Sequence, residues 1–138
     1  MVYLKSKILI TGSCGFLGSN IYSYLKEKND SSLIYGTSRK KNLLDKNKIE
    51  IDLREKKSIE LLKNFDILIH TAYTENQSDN ILMLKNIIKA TKKNRINTVI
   101  HISTAVVSGL EINKIINEKT KCKPSNGYQI NKLDIENM

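Results

Sequence analysis

The chain has 138 residues, 40% of them hydrophobic and 27% charged, and its 23 Lys and Arg against 14 Asp and Glu leave a net charge of +9. That size suits one domain with its own core, and the balance is that of a globular rather than a disordered chain. No apolar run approaches the roughly 20 residues of a membrane helix, and Cys14 and Cys122 form neither a CxxC pair nor a spaced set, which argues against a disulfide framework or a zinc ribbon.

The opening Met1-Val-Tyr-Leu-Lys-Ser-Lys runs straight into a short strand, Lys7 to Thr11, with no signal-peptide cleavage site; a soluble, cytoplasmic protein is expected. A glycine-rich turn follows. Then comes an amphipathic helix with Leu17, Ile21, Tyr24 and Leu25 on its apolar face. A loop at 29–32 leads to a second strand, Leu33 to Ser38, ended by Arg39-Lys40-Lys41. Residues 42–48 are polar and loop-like. Ile49 to Asp52 reads as a third strand, and Glu55 to Lys63 as a helix with Ile59 and Leu62 inward. Asp66 to His70 is a fourth strand. Residues 77–93 form a strong helix with Ile81, Leu84 and Ile88 on one face. Thr98 to Ser103 is a fifth strand, 104–125 a loop with room for one short helix, and a last helix starts near Asn126.

Short apolar strands alternating with amphipathic helices predict an α/β fold. The expected arrangement is a doubly wound (Rossmann) parallel sheet of order 3-2-1-4-5 over residues 1–138. The lysines are scattered and do not interleave with aromatic residues, so the charge reads as a solvated basic surface and not as a nucleic-acid interface. Such a surface still attracts an anionic substrate or cofactor.

The turn Thr11-Gly-Ser-Cys-Gly-Phe-Leu-Gly18 carries the first chemistry. Gly12 permits a tight turn, Gly15 lets a pyrophosphate approach the backbone, and Gly18 lets the helix pack on the strand. The amides and positive dipole end of the following helix then face the phosphates. An acidic residue at the end of the second strand would bond the adenosine ribose; this chain has Thr37-Ser38-Arg39-Lys40 instead. Arg39 can pair with a 2′-phosphate, which favours NADP, with NAD as the alternative. Asp52 and Leu53 stand where an adenine-contacting carboxylate would sit. Cys14 reads as a small loop residue, since no base is evident beside it.

Tyr128 and Lys132 lie four apart on one helix face. A phenol has a reference pKa near 10 and is a poor base unaided. An ammonium about 4 Å away favours the phenolate by up to ~4 kcal/mol at an effective dielectric of 20, roughly three pKa units, which brings it into range for acid/base work. A hydroxyl from Thr104, past the fifth strand, can hold a substrate oxygen. His70 and His101 sit in strands and read as core-edge residues. With no Asp/Glu/His cluster near them, no metal site is expected.

In these segments the chain resembles the extended short-chain dehydrogenase/reductase family, in particular its NAD(P)-dependent epimerase/dehydratase branch. Thr11-Gly12-x-x-Gly15-Phe16-Leu17-Gly18 is similar to the family's TGxxGFLG. Asp52-Leu53 resembles its acidic-apolar pair after strand three, and Asp66-Ile-Leu-Ile-His-Thr71-Ala72 the strand that lines the cofactor. Val99 to Thr104 resembles the strand carrying the catalytic Ser/Thr, and Tyr128 with Lys132 matches YxxxK. The resemblance implies hydride transfer on a nucleotide sugar. In it Thr104 polarises the substrate hydroxyl, Tyr128 is the acid/base, and Lys132 lowers its pKa and binds the nicotinamide ribose.

Two segments depart from the pattern. Val107-Ser108-Gly109 replaces a Val-Tyr-Gly, and Asn80 is followed by Met83-Leu84 where Gly-Thr is usual. The family's later strands and substrate domain are also missing. The fifth strand is then an apolar sheet edge, which tends to pair with another chain. A homo-oligomer, or an N-terminal piece of a longer enzyme, is expected. A truncated, non-catalytic dinucleotide-binding module is the alternative function.

Overall fold

The computed structural model describes residues 6–40, 44–109 and 115–138. Parts of two expected loops, residues 42–43 and 110–114, lie outside the described residues. The chain divides into two compact units, Met1–Ile102 and Ser103–Met138.

The first unit is built on five parallel strands: β1 (Ile8–Thr11), β2 (Ile34–Ser38), β3 (Lys48–Glu50), β4 (Ile67–His70) and β5 (Thr98–His101). Their order is β3-β2-β1-β4-β5, as the sequence predicts. Ile8 lies opposite Ile34 on one side and Ile67 on the other, and His70 opposite His101. Side chains alternate across a strand, so the apolar runs supply both faces. Ile8, Ile10, Ile34 and Ile69 meet Ile21, Tyr22 and Leu25 of α1 (Phe16–Lys28) on one face. Leu9, Leu68, Tyr35 and Ile49 turn to the other. There they meet Leu62, just past α2 (Ser58–Leu61), and Met83, Ile87 and Ala90 of α3 (Gln77–Asn94). Helices on both faces of a parallel sheet are the doubly wound arrangement.

Several elements depart from the expected ones. In α1, Gly18 and Tyr22 are buried, whereas Tyr24 is 61% exposed. Gly18 and Tyr22 are one turn apart, so the helix presses its glycine onto the sheet and carries Tyr22 inward beside it. In α3 the buried stripe is Asn80, Met83, Leu84, Ile87 and Ala90, which leaves Ile81 and Ile88 half-buried at its flank. Asparagine in the buried stripe is what an apolar count misses. The helix expected at 55–63 is confined to Ser58–Leu61, because tight turns occupy 52–58, with the Glu55 amide donating to the Asp52 carbonyl and the Ser58 amide to that of Glu55. The third and fifth strands end at Glu50 and His101, short of Asp52 and Ser103. β5 forms an edge of the sheet, with Val99 and Ile100 39% and 45% exposed.

The second unit holds a 3₁₀ turn at Ala105–Ser108 and α4 (Gly127–Glu136), which pack on each other. A reciprocal cap starts α4: the Asn126 Oδ1 accepts from the Gln129 amide, and the Gln129 Oε1 accepts from the Ser125 amide. That fixes Tyr128 in the first turn of the helix.

The shift of the α3 face gives a direct test. Ile87 is fully buried and Ile88 is not. Ile87→Ala should cost about 3 kcal/mol in urea unfolding, and Ile88→Ala less than half of that; equal losses would contradict the observed helix rotation.

Candidate functional site

Because the strands are parallel and each is followed by a turn, the segments leaving β1, β2, β3 and β4 converge at one end of the sheet. They enclose a cavity of about 600 Å3. Gly12, Gly15 and Phe16 line it from the first turn, Arg39 from beyond β2, Asp52 and Leu53 from beyond β3, and Thr71 and Ala72 from beyond β4. Eight of the sequence-predicted residues therefore share one cavity. Leu17 and Gly18 are not among its lining residues.

The glycine turn is held from both sides. Gly12 has φ +69°, and a Cβ there would lie 2.8 Å from the backbone of Ala72. Its amide donates to the Thr37 hydroxyl at 3.2 Å, and the buried Ser13 hydroxyl donates to the Thr37 carbonyl at 2.9 Å. Ser13 fits because Gly36 has no side chain: a Cβ at Gly36 would stand 2.3 Å from the Ser13 Oγ. On the other side the Thr71 hydroxyl donates to the Thr11 carbonyl at 2.6 Å, and Thr11 Oγ1 shares a 2.7 Å hydrogen bond with His70 Nδ1. The His70 and His101 rings lie 5.3 Å apart, within the strand register expected of core-edge residues.

The glycines differ in what the fold asks of them. A Cβ at Gly18 would meet the Gly12 carbonyl oxygen at 2.2 Å and Thr71 Oγ1 at 2.6 Å. At Gly15, φ is an ordinary −80°, and a Cβ would meet one atom, the Gly12 oxygen, at 3.3 Å. Gly15 caps α1 without a side chain, and no acidic residue stands in that helix's first turn. The first-turn amides and the positive end of the dipole are therefore left facing outward. By contrast α3 and α4 carry asparagine caps. Phe16 is 91% exposed at the start of α1. The Cys14 thiol lies 3.8 Å from the Lys48 ammonium.

Buried asparagines hold the far walls. Asn80 bonds both backbone groups of Thr74, accepting from its amide and donating to its carbonyl at 2.8 Å each. Asn86 donates to the Leu53 carbonyl at 2.8 Å. Arg54 grips Asp52 through Nε and Nη2, at 3.0 Å and 2.6 Å, and reaches Asp79 of α3 with Nη1 at 3.0 Å. The Arg54 hydrogen bonds, with help from the more distant Arg39 charge, pull the Asp52 carboxyl down to about 2. Sequence reasoning missed Arg54, Tyr73, Thr74 and Met83 in the cavity wall. For Arg54 a signal was present, two residues after the carboxylate already singled out.

The second unit places Tyr128 and Lys132 one turn apart on α4, and Thr104 at the start of the 3₁₀ turn against which α4 packs. Tyr128 is 43% exposed and Lys132 only 7%. Burial pushes the Lys132 pKa down, and the Glu136 carboxylate pushes it back up. Ser103 donates to the same Glu136 carboxylate. Among the described residues no group of His, Cys, Asp and Glu is placed to hold a metal, and no helix is long and apolar enough to cross a membrane.

A model of the NAD dependent epimerase/dehydratase family matches residues 8–138. A dTDP-D-glucose 4,6-dehydratase of Dictyostelium discoideum is 28% identical, over 96% of this chain and 39% of that protein. The dTDP-glucose 4,6-dehydratase of Bacillus anthracis, solved in complex with NAD, has 19% identity and a TM-score of 0.77, covering 94% of this chain and 47% of its own. L-threonine dehydrogenase of Phytophthora infestans has 21% identity and a TM-score of 0.81, covering 95% and 47%. The chain thus spans less than half the length of these relatives.

Two predictions follow from the geometry. Gly18→Ala should destabilise the chain by about 2 kcal/mol, since both atoms its Cβ would strike are fixed by the turn; an unchanged melting temperature would contradict the close approach. Asp52 has its pKa depressed below the usual 3.8, so its contribution to stability is present above that value and is lost as pH falls through it toward about 2. Asp52→Asn should therefore be less stable than the native chain at pH 7, with the gap closing in acid; a gap constant with pH would contradict the pairing.

Proposed function

The chain belongs to the NAD dependent epimerase/dehydratase family, and from that premise we propose that its first unit grips a nicotinamide adenine dinucleotide, the cofactor of hydride transfer on a nucleotide sugar. The observation that carries this reading is Gly15. Its backbone conformation suits any residue, and a Cβ there would press on one atom, the Gly12 carbonyl oxygen at 3.3 Å, so the fold asks less of this glycine than of Gly12 or Gly18. A pyrophosphate seated against the uncapped start of α1 does need it, because a Cβ would stand between the phosphates and the amides. Phe16, Leu17 and Gly18 supply first-turn amides, Asp52 and Leu53 the adenine contacts, and Thr71 and Ala72 the wall beyond β4. Arg39 supplies a cation for a 2′-phosphate, which favours NADP over NAD.

A bound nicotinamide ring supplies the hydride acceptor. The protein's own part is proton handling. The Thr104 hydroxyl holds the substrate oxygen, and the Tyr128 phenol takes or returns its proton. Lys132 stands one turn from Tyr128 on the same helix, and Glu136 helps keep its ammonium charged despite its burial. The nucleotide-sugar class draws its support from the two dehydratases.

Fluorescence titration with NADPH and NADH tests the reading. NADPH should bind about tenfold more tightly, and Arg39→Ser should erase that preference. Gly15→Ala should weaken both by tenfold or more while the melting temperature stays within a few degrees of the native value. Undiminished binding by Gly15→Ala would overturn the cradle. With NADP+ present, a nucleoside diphosphate glucose should be converted to an epimerised or dehydrated product, read by chromatography, and Tyr128→Phe should abolish that conversion without loss of binding. Dinucleotide binding with no conversion of the sugar by the native chain would select a non-catalytic dinucleotide-binding module.

A further inference from the structure

We infer that Arg54 is the positioning residue that lets the site read the adenine base, by clamping the Asp52 carboxylate at the cavity wall. The inference rests on the dinucleotide reading above and adds a residue to it. A lone aspartate at the end of a short strand would pivot about two side-chain torsions. Here it does not stand alone. Asp52 Oδ1 accepts from both the Arg54 amide and Nε at 3.0 Å, and Oδ2 accepts from Nη2 at 2.6 Å. The guanidinium therefore meets the carboxylate side-on, with two parallel bonds that fix its plane as well as its place.

The clamp is anchored from outside the turn. Arg54 Nη1 donates to Asp79 Oδ2 at 3.0 Å, and Asp79 sits in the first turn of α3. Arg54 is held between two carboxylates from separate elements, so it cannot swing away with Asp52. Asn86 of the same helix fixes the carbonyl of the intervening Leu53. Three consecutive residues of the wall are thus tied to α3. The Asp52 side chain is still 23% exposed, and both Asp52 and Arg54 line the cavity. Arg39, the other cation near the carboxylate, acts on it by charge.

A fixed carboxylate is an acceptor with no proton to give at neutral pH. Adenine offers it a 6-amino donor. Hypoxanthine offers a 6-oxo group there, which sets oxygen against oxygen. A rigid acceptor separates the two bases strongly, and a mobile one turns aside. The guanidinium fork, and not its charge alone, is what makes the acceptor rigid.

The test is the ratio of dissociation constants for NADH and reduced nicotinamide hypoxanthine dinucleotide, measured on the native chain, Arg54→Met and Arg54→Lys. The native chain should favour adenine by tenfold or more. In both variants the ratio should fall to about threefold or less, with NADH bound more weakly and the hypoxanthine dinucleotide bound at least as tightly as by the native chain. Arg54→Lys keeps a cation beside both carboxylates, so it serves if Arg54→Met does not fold. A ratio unchanged in the variants overturns the inference and leaves the dinucleotide reading standing. A native ratio near one shows that Asp52 does not read the base, and also overturns it. Failure of the native chain to bind either compound removes the dinucleotide reading itself, and the inference with it.

Discussion

The backbone of Gly12 lies against that of Ala72 so closely that no side chain fits between them. That contact brings the turn after β1 and the segment after β4 together at the end of the sheet, and it sets the geometry of the cavity. Gly12 turns through a left-handed φ, Gly18 lets α1 press its carbonyl-facing side onto the turn, and Gly36 leaves room for the buried Ser13 hydroxyl. Three missing side chains, and hydrogen bonds from Ser13 and Thr71, make the turn a rigid object. Gly15 stands apart within it, since a Cβ there would press on the Gly12 carbonyl alone, at 3.3 Å, where those at Gly12 and Gly18 would collide outright. The difference between Gly15 and its neighbours separates a packing requirement from a binding one.

The rest of the wall depends on polar groups that are buried and satisfied. Asn80 and Asn86 occupy positions on α3 that a purely apolar helix face would give to Leu or Ile. Burying an amide without partners is costly. Both are partnered by loop backbone, Thr74 in one case and Leu53 in the other. The long helix therefore serves as a post to which the loops beyond β3 and β4 are fastened. Arg54 extends the same device with charge, tying Asp52 to Asp79. In the second unit, Glu136 has a comparable double role toward Ser103 and Lys132.

How much of this could be read from the residues follows from the same physics. The strands were legible because parallel strands covered on both faces become short apolar runs, and the glycine turn because its spacing follows a strand and opens a helix. Strand order followed from alternation and right-handed crossovers. The helix faces were harder. Tyr22 and Tyr24 are the same residue type, and only the packing of Gly18 on the turn decides which one goes in. The α3 face was misplaced because Asn80 and Asn86 count as polar although the loops make them core. Gly12, Gly15, Arg39, Asp52 and Thr71 were legible as cavity residues. Tyr73 and Thr74 were not, since their place depends on how Asn80 holds the loop, and Met83 was not, since it reaches the cavity from the α3 face that apolar counting misplaced. Arg54 stands two residues after the carboxylate already singled out, but its tie to Asp79, far along the chain, is visible only in the structure.

The central claim is that the open amides at the start of α1, framed by the glycine turn, receive a diphosphate. Its most direct measurement is a two-dimensional amide NMR titration of the chain with ADP, read residue by residue. The account predicts that the largest shifts fall on Gly15, Phe16, Leu17 and Gly18, with a second group at Asp52 to Arg54. Shifts spread over the lysine-bearing faces of α1 and α3, with the turn amides unmoved, would contradict it.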